Sequence, residues 1–425
     1  MRCVKKYQAL KTVNWNKIEF WGFGLLTVSL FLPKSITSWS IGLMGLIVGL
    51  KWIGTGIRFK GYSGLVLFPV LFGLLLAGQL YTDDLSRGFS VLERHLSFIL
   101  IPIAAYSIRD FSTKQKKNLA DLFILSVLLA GVYCVGVASF KYVQTGSVYA
   151  GEQTGHFVYN NFMHQKLSGA IGLHAIYFSL FVSFAGVLVL HWLLDGWQKL
   201  LSWQRAMYLL ALAFFFLLIF LLKSAVFGML FPFACLLVFT YQLGKNVRSS
   251  PWLRTIAALL LIALMPFVYF STKTKLDDFG LQYQLSDEHL SPLTMRFAIW
   301  ECSWQVIEHD WLLGTGTGDG YQSLLDMYQE KGFKIGLENR FNTHNMYLQY
   351  FMGNGIFAVL CYMAILLSVL LRGVRHNNIL GIVMIMFFAV FSITESTLLT
   401  VKGMAFFVFF SSLFYWEPKL WMGTR

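Results

Sequence analysis

Phe341-Asn-Thr-His-Asn-Met-Tyr-Leu-Gln-Tyr-Phe-Met-Gly-Asn-Gly-Ile-Phe-Ala358 is the stretch in which a polar segment gives way to a long apolar one. His344 and Asn345 stand at the junction, and the apolar run continues to about residue 371. Such a run is long enough for a helix to cross the hydrocarbon of a bilayer. The junction therefore predicts a membrane-spanning helix whose mouth carries a titratable imidazole. On one continuous helix Gly355 would lie about three turns beyond His344 on the same face, with Leu348 and Met352 between them.

The composition makes the same demand of the whole chain. Apolar residues are 56% of it and charged residues 13%, with 40 Phe, 19 Tyr and 13 Trp, a balance outside that of soluble domains. The apolar runs are about twenty residues long rather than ten-residue alternating segments, so helices are expected and a barrel is not. The fold class read here is all-α, a polytopic membrane protein. A formal charge of +13 would suggest nucleic acid in a soluble protein, but here it asks which side of the membrane carries the Lys and Arg. Cys3, Cys134, Cys235, Cys302 and Cys361 form no recognisable disulfide framework. The basic start, Met1 to Lys17, precedes an apolar run without a small-x-small cleavage site and reads as a retained first span.

Apolar runs at about 19–33, 36–50, 64–80, 95–107, 119–140, 170–194, 207–222, 225–243, 252–270, 344–371, 378–393 and 398–417 give about twelve candidate spans in a single membrane domain, residues 1–425. Short loops such as Arg109 to Lys117 and Lys245 to Arg254 hold basic clusters and are assigned to the cytoplasm, which puts both termini there. Two segments on the other side stand out by length, Val143 to Ser168 and residues 271–343, so the chemistry is expected outside the cytoplasm. Within the longer one, Met295 to Val306 reads as an amphipathic helix that either lies on the membrane surface or folds over the bundle. Tyr321 to Gln329 reads as a second.

Several side chains could carry chemistry. His344 is a packing residue or a general base; Arg340, expected one turn earlier on the same face, and Asn345 add a cation and an amide to it. Arg296 is a headgroup anchor or a planar fork for phosphate oxygens. Lys223 interrupts the apolar stretch Phe214 to Phe231 at an outer turn, where it either snorkels or meets an anionic headgroup. Gly314, Gly316 and Gly318, in Gly314-Thr-Gly-Thr-Gly-Asp-Gly320, could form an anion-binding nest, although close packing or a turn serves equally. Glu395, between the last two spans, could orient a histidine, bind sugar hydroxyls or stay solvated. No metal site is preferred: His309 lies in a loose acidic cluster, and His156, His164, His174 and His289 are scattered.

His344-Asn345, nine residues, Gly355, two residues and Ala358 resembles the signature of the O-antigen ligase and polymerase superfamily, in which the last position is Gly, Thr or Tyr. Arg296 to Trp300 as Arg-x-x-x-Trp, the glycine run from Gly314, Leu173-His-Ala-Ile-Tyr-Phe-Ser-Leu and Thr394-Glu-Ser also look like family positions. Where the family usually has an arginine after its seventh span, this chain has Lys223, which keeps the charge and loses the bidentate fork. The resemblance implies an enzyme of the bacterial inner membrane with a periplasmic site, transferring a glycan from undecaprenyl diphosphate with inversion and without nucleotide sugar, metal or cofactor. His344 would activate the acceptor hydroxyl, and Arg296, Lys223 and Arg340 would meet the diphosphate, with Asn345 and Glu395 also at the substrate. Gly355 and the glycines of the run would serve packing. The resemblance implies an O-antigen ligase acting on lipid A-core; a polymerase extending a lipid-linked glycan stands close behind, and a protein O-glycosyltransferase further off. A transporter or flippase would place ionisable residues deep in its spans and show paired half-repeats, and neither is apparent.

Overall fold

Each apolar run must satisfy its own backbone polar groups, and in the protein each described one does so as a helix. A computed structural model describes residues 13–55, 64–154, 157–245, 285 and 290–416. In chain order the helices are α1 (Trp15–Ser29), α2 (Lys34–Thr55), α3 (Leu67–Ala77), α4 (Leu85–His95), α5 (Ser97–Ala105) and α6 (Thr113–Thr145). An antiparallel hairpin follows, β1 (Tyr149–Thr154) with β2 (Phe157–Asn160), in the register Tyr149 opposite Asn160. Then come α7 (His164–Ser168), α8 (Ala175–Gly196), α9 (Ser202–Leu222), α10 (Ala225–Lys245), α11 (Pro292–Asp310), α12 (Gly320–Glu330) and α13 (Lys334–Glu338). The chain closes with α14 (Met346–Arg375), α15 (Ile379–Thr394) and α16 (Val401–Trp416). The hairpin is the one departure from an all-helical chain among the described residues.

Eight of these stretches are long and apolar enough to cross a membrane, against the twelve expected: Lys34–Thr55, Gly64–Tyr81, Leu85–Asp110, Thr113–Thr145, Ala175–Gly196, Ser202–Leu222, Ala225–Gly244 and Met346–Arg375. Helices α1, α15 and α16 occupy three more of the expected runs but are 15, 16 and 16 residues long. At about 1.5 Å per residue they fall short of the ~30 Å hydrocarbon layer. The expected run 252–270 lies outside the described residues, as do Cys3, His156, His289 and the first part of the 271–343 segment.

Phenylalanine builds the centre. Helix α8 is buried nearly all round, and α16 is buried from Lys402 to Phe414. Between them Phe181 and Phe406 have ring centroids 4.8 Å apart, Phe406 and Phe410 4.7 Å, and Phe184 and Phe410 5.0 Å, with Phe123 of α6 joining at 5.0 Å from Phe410. Peripheral helices turn large apolar side chains outward, Trp21, Trp39, Leu129 and Leu210 among them. In water that surface would be an aggregation hazard; against lipid it is the expected face.

A second, smaller core caps one end of the bundle. Ile299, Cys302 and Val306 of α11, Leu324 and Tyr328 of α12 and Phe333 enclose Met352 of α14. Of the two readings of Met295 to Val306, the helix folds over the bundle. The expected continuous helix through Gly355 is corrected here: Asn354 (φ −137°) and Gly355 (φ 68°, ψ −170°) break α14. The segment after α11 sits in the break. Thr315 N donates to Met352 O and Gly316 N to Gly353 O, each at 3.0 Å, while Ile356 N donates to Trp311 O at 3.0 Å. The carbonyls and amide freed by the break are thus satisfied, and a Cβ on Gly355 would run into the Leu312 carbonyl.

Candidate active site

Two irregular segments meet beneath the cap, 342–345 before α14 and 394–397 after α15. His344 Nδ1 lies 3.0 Å from Glu395 Oε1. A carboxylate only accepts, so Nδ1–H is the donor, and in the neutral imidazole Nε2 keeps its lone pair. The backbone at His344 is in the left-handed region, φ 43°, which its neighbours enforce. Asn342 Oδ1 accepts from His344 N at 2.9 Å, and from the Ser396 hydroxyl at 3.3 Å, tying the two segments together. The Thr343 hydroxyl is buried, 3.0 Å from Ser396 Oγ and 2.8 Å from Asn345 O. Asn345 caps α14: its Oδ1 accepts from Tyr347 N at 2.9 Å and Leu348 N at 3.1 Å.

One face of α11 grips both segments. Arg296 Nε donates to Thr394 O at 3.2 Å, the carbonyl just before Glu395. One turn on, Trp300 Nε1 donates to Thr343 O at 3.1 Å, the carbonyl just before His344. The Arg-x-x-x-Trp spacing is the spacing of one helical turn, and here it sets the separation of the imidazole and its carboxylate. Arg296 Nη1 also donates to Pro292 O at 3.1 Å, so the arginine is partly spent on positioning before it meets any ligand.

Lys223 comes to the same end of the bundle. It ends α9 with φ 48°, and Phe227, one turn into α10, packs at 5.3 Å from Phe391, one turn before Glu395. Phe391 also stacks edge-on at 5.5 Å with Tyr177, whose hydroxyl donates to Ser396 O at 3.2 Å. Tyr177 lies one turn after His174. An aromatic layer of Tyr177, Phe227 and Phe391 therefore underlies a polar layer that includes His174, Lys223 and Glu395.

Residues 179–363 match the family model described as O-antigen ligase. Through that stretch, less than half of its length, the chain is similar to the O-antigen ligase and polymerase superfamily. No curated protein sequence matches it. Members of that family are membrane enzymes of glycosyltransferase type that work on lipid-linked glycans in bacteria. The matched stretch holds Lys223, Arg296, Arg340, His344, Asn345 and Gly355 but ends before Glu395 and begins after His174. Folding, not the matched segment, brings those two to the imidazole.

Two expectations are corrected. Arg340 is not a helical turn below His344: residues 340–345 are irregular, Arg340 has φ 52°, and the Tyr321 hydroxyl holds its carbonyl at 2.6 Å. The histidines are not all scattered. Burial lowers the pKa of His174, with Glu395 opposing and His344 reinforcing the shift. The His164 ring stands 6.1 Å from that of His174. His174 shows the pattern that marked His344, a histidine at a polar-to-apolar junction, and the same reading applied twice would have found it. Non-glycine positive φ among the described residues occurs at His164, Lys223, Arg340, His344 and Asn377, and the first four are basic residues. Gly314, Gly316 and Gly318 form no nest: Gly314 N donates to Asp310 O, Gly316 N to Gly353 O and Gly318 N to Thr82 Oγ1.

Proposed function

We propose that the protein transfers a glycan from undecaprenyl diphosphate to an acceptor hydroxyl at the periplasmic face of the inner membrane. The acceptor we infer is lipid A-core, which makes the protein an O-antigen ligase. The observation that supports this best is the Nδ1 contact of His344 with Glu395, which leaves Nε2 as a base. The acceptor O–H gives its proton to His344 Nε2 as its oxygen attacks the anomeric carbon. The bond from that carbon to the diphosphate oxygen breaks on the opposite face, its electron pair leaves with undecaprenyl diphosphate, and configuration inverts. Glu395 holds the imidazole in the correct tautomer and stabilises the imidazolium. Arg296 and Lys223 meet the charge that grows on the diphosphate. Arg340, exposed and without a side-chain partner among the described residues, adds to them.

The test is the glycolipid profile of a deletion strain complemented with wild type or with His344→Ala. Ligase function predicts loss of all long glycan from lipid A with lipid-linked polymer accumulating, restored by wild type only. A single repeat unit on the core would make the protein a polymerase. Full restoration by His344→Ala would overturn the mechanism.

A further inference from the structure

On the other side of the 342–346 segment lies a cavity of about 250 Å³, walled by Arg87, Arg94, Asn342, Met346, Gln349 and Tyr350, among others. Asn342 is shared with the site above; His344, Glu395, Arg296 and Lys223 do not line the cavity. We propose that this cavity is a second anion site, which takes a phosphate or diphosphate of the acceptor while Arg296 and Lys223 take that of the donor. The identity of that ligand rests on the glycosyl-transfer reading; the anion site does not.

The lining presents donors and few free acceptors. Arg87 lies with its guanidinium 4.7 Å from the Tyr321 ring centroid, and Arg94 uses Nε on Ser90 O and Nη1 on Leu399 O, at 3.0 and 3.2 Å. The two guanidinium groups are close enough to repel one another. No carboxylate pairs with either among the described residues. Of the nearby acids, Asp84 Oδ1 accepts from Arg87 N at 2.9 Å and Asp319 accepts from Asp83 N and Asp84 N at 2.7 and 2.8 Å, while Glu93 acts on Arg94 through space without forming an ion pair with it. Asn342 turns its oxygen to His344 N, because a backbone N–H can only donate, and its amide N–H groups remain. Two half-buried guanidinium groups without a carboxylate partner, sharing a cavity with an amide, are the arrangement that binds phosphate oxygens. At ~30 Å³ per water the cavity holds on the order of eight waters, room for a phosphate or diphosphate but not for a whole glycan.

Its position suits an acceptor. Asn342 and Met346 flank His344 and Asn345 in sequence, so an anion here is held by the same segment that carries the base. A phosphorylated acceptor would thereby be anchored beside the imidazole.

The experiment titrates inorganic pyrophosphate calorimetrically into the full-length protein in detergent. Two equivalents are expected for wild type, one for Arg87→Gln/Arg94→Gln, and one for Lys223→Gln/Arg296→Gln. An unchanged stoichiometry in Arg87→Gln/Arg94→Gln overturns the inference, whatever the other pair does. Arg94 also holds Leu399, so Arg87→Gln alone is the control for folding; it should weaken the second site about tenfold. Kinetics then identify the source. A KM raised about tenfold for a lipid-diphosphate-linked acceptor assigns the diphosphate of a second carrier, and the same rise for phosphorylated lipid A-core assigns a core phosphate. Donor KM should hold in both. If neither acceptor KM moves, the cavity does not serve the acceptor.

Discussion

The His344 segment and the glycine run at 314–318 are both irregular backbone pressed against the same helix, and they are held in opposite ways. The run is held through its own main chain, whose amide groups pair with carbonyls exposed where α14 breaks, and the hydroxyls of Thr315, Thr317 and Thr82 add bonds around it. Residues 342–345 are held by side chains, Asn342, Thr343, Ser396 and Trp300, which saturate the backbone and leave the imidazole edge free. Backbone stitching consumes the N–H groups an anion would need, and side-chain stitching spares a reactive group. The first region is a joint and the second a site.

That contrast is broken most sharply by a pair of single substitutions. Gly355→Ala puts a Cβ into the Leu312 carbonyl at a φ and ψ that are essentially glycine's alone. It should cost more than the ~1–3 kcal/mol of such strain and remove folded protein from the membrane, seen as loss of a monodisperse peak in detergent. His344→Ala should leave that peak intact and lower transfer by about 10²- to 10⁴-fold. An inactive Gly355→Ala protein that still folds would mean that the joint takes part in chemistry.

Glu395→Gln comes next. It keeps size and polarity but no longer fixes Nδ1 as the donor, so a loss of about 10- to 100-fold in kcat is expected, with acceptor KM little changed. A carboxylate that bound sugar hydroxyls would show the reverse, a raised KM. Trp300→Phe is milder: it keeps the ring in the cap and removes one hydrogen bond to Thr343 O. About 1 kcal/mol of lost hydrogen bonding corresponds to a several-fold drop in rate. A drop as large as that of His344→Ala would show that the indole touches substrate.

The helix layout was legible because lipid admits few alternatives: about twenty apolar residues must become a helix, whatever their order. The spacing of Arg296 and Trp300 was legible for the same reason, since one turn is one turn. The break at Asn354–Gly355 was not. A three-turn interval between His344 and Gly355 fits a continuous helix, and nothing local announces that Trp311 and Thr315 will supply the missing hydrogen bonds. Nor does position in the chain reveal that Thr394 and Thr343 are gripped by one helix face. Both are long-range pairings, fixed by the cap as a whole. Glu395 was legible only as a carboxylate between two apolar runs that could orient a histidine, bind sugar hydroxyls or stay solvated, and in Thr394-Glu-Ser as a family position.

Lys223 gives the smallest effect and the most discriminating sign. It sits in the left-handed region at the end of α9, where a side chain costs roughly 1 kcal/mol and glycine very little. If the lysine is only a cap that snorkels to the surface, Lys223→Gly should stabilise the protein by up to ~1 kcal/mol and leave transfer unchanged. If it meets the donor diphosphate, the same substitution should still stabilise the fold while raising donor KM several-fold, because one charge-assisted contact is gone. Lys223→Arg should then lower donor KM at unchanged stability, since the fork restores a second hydrogen bond that the ammonium cannot make. Measuring the thermal midpoint and donor KM on the same preparations separates the two: a stability gain with no kinetic change would remove Lys223 from the site and leave Arg296 with Arg340 to bind the leaving group.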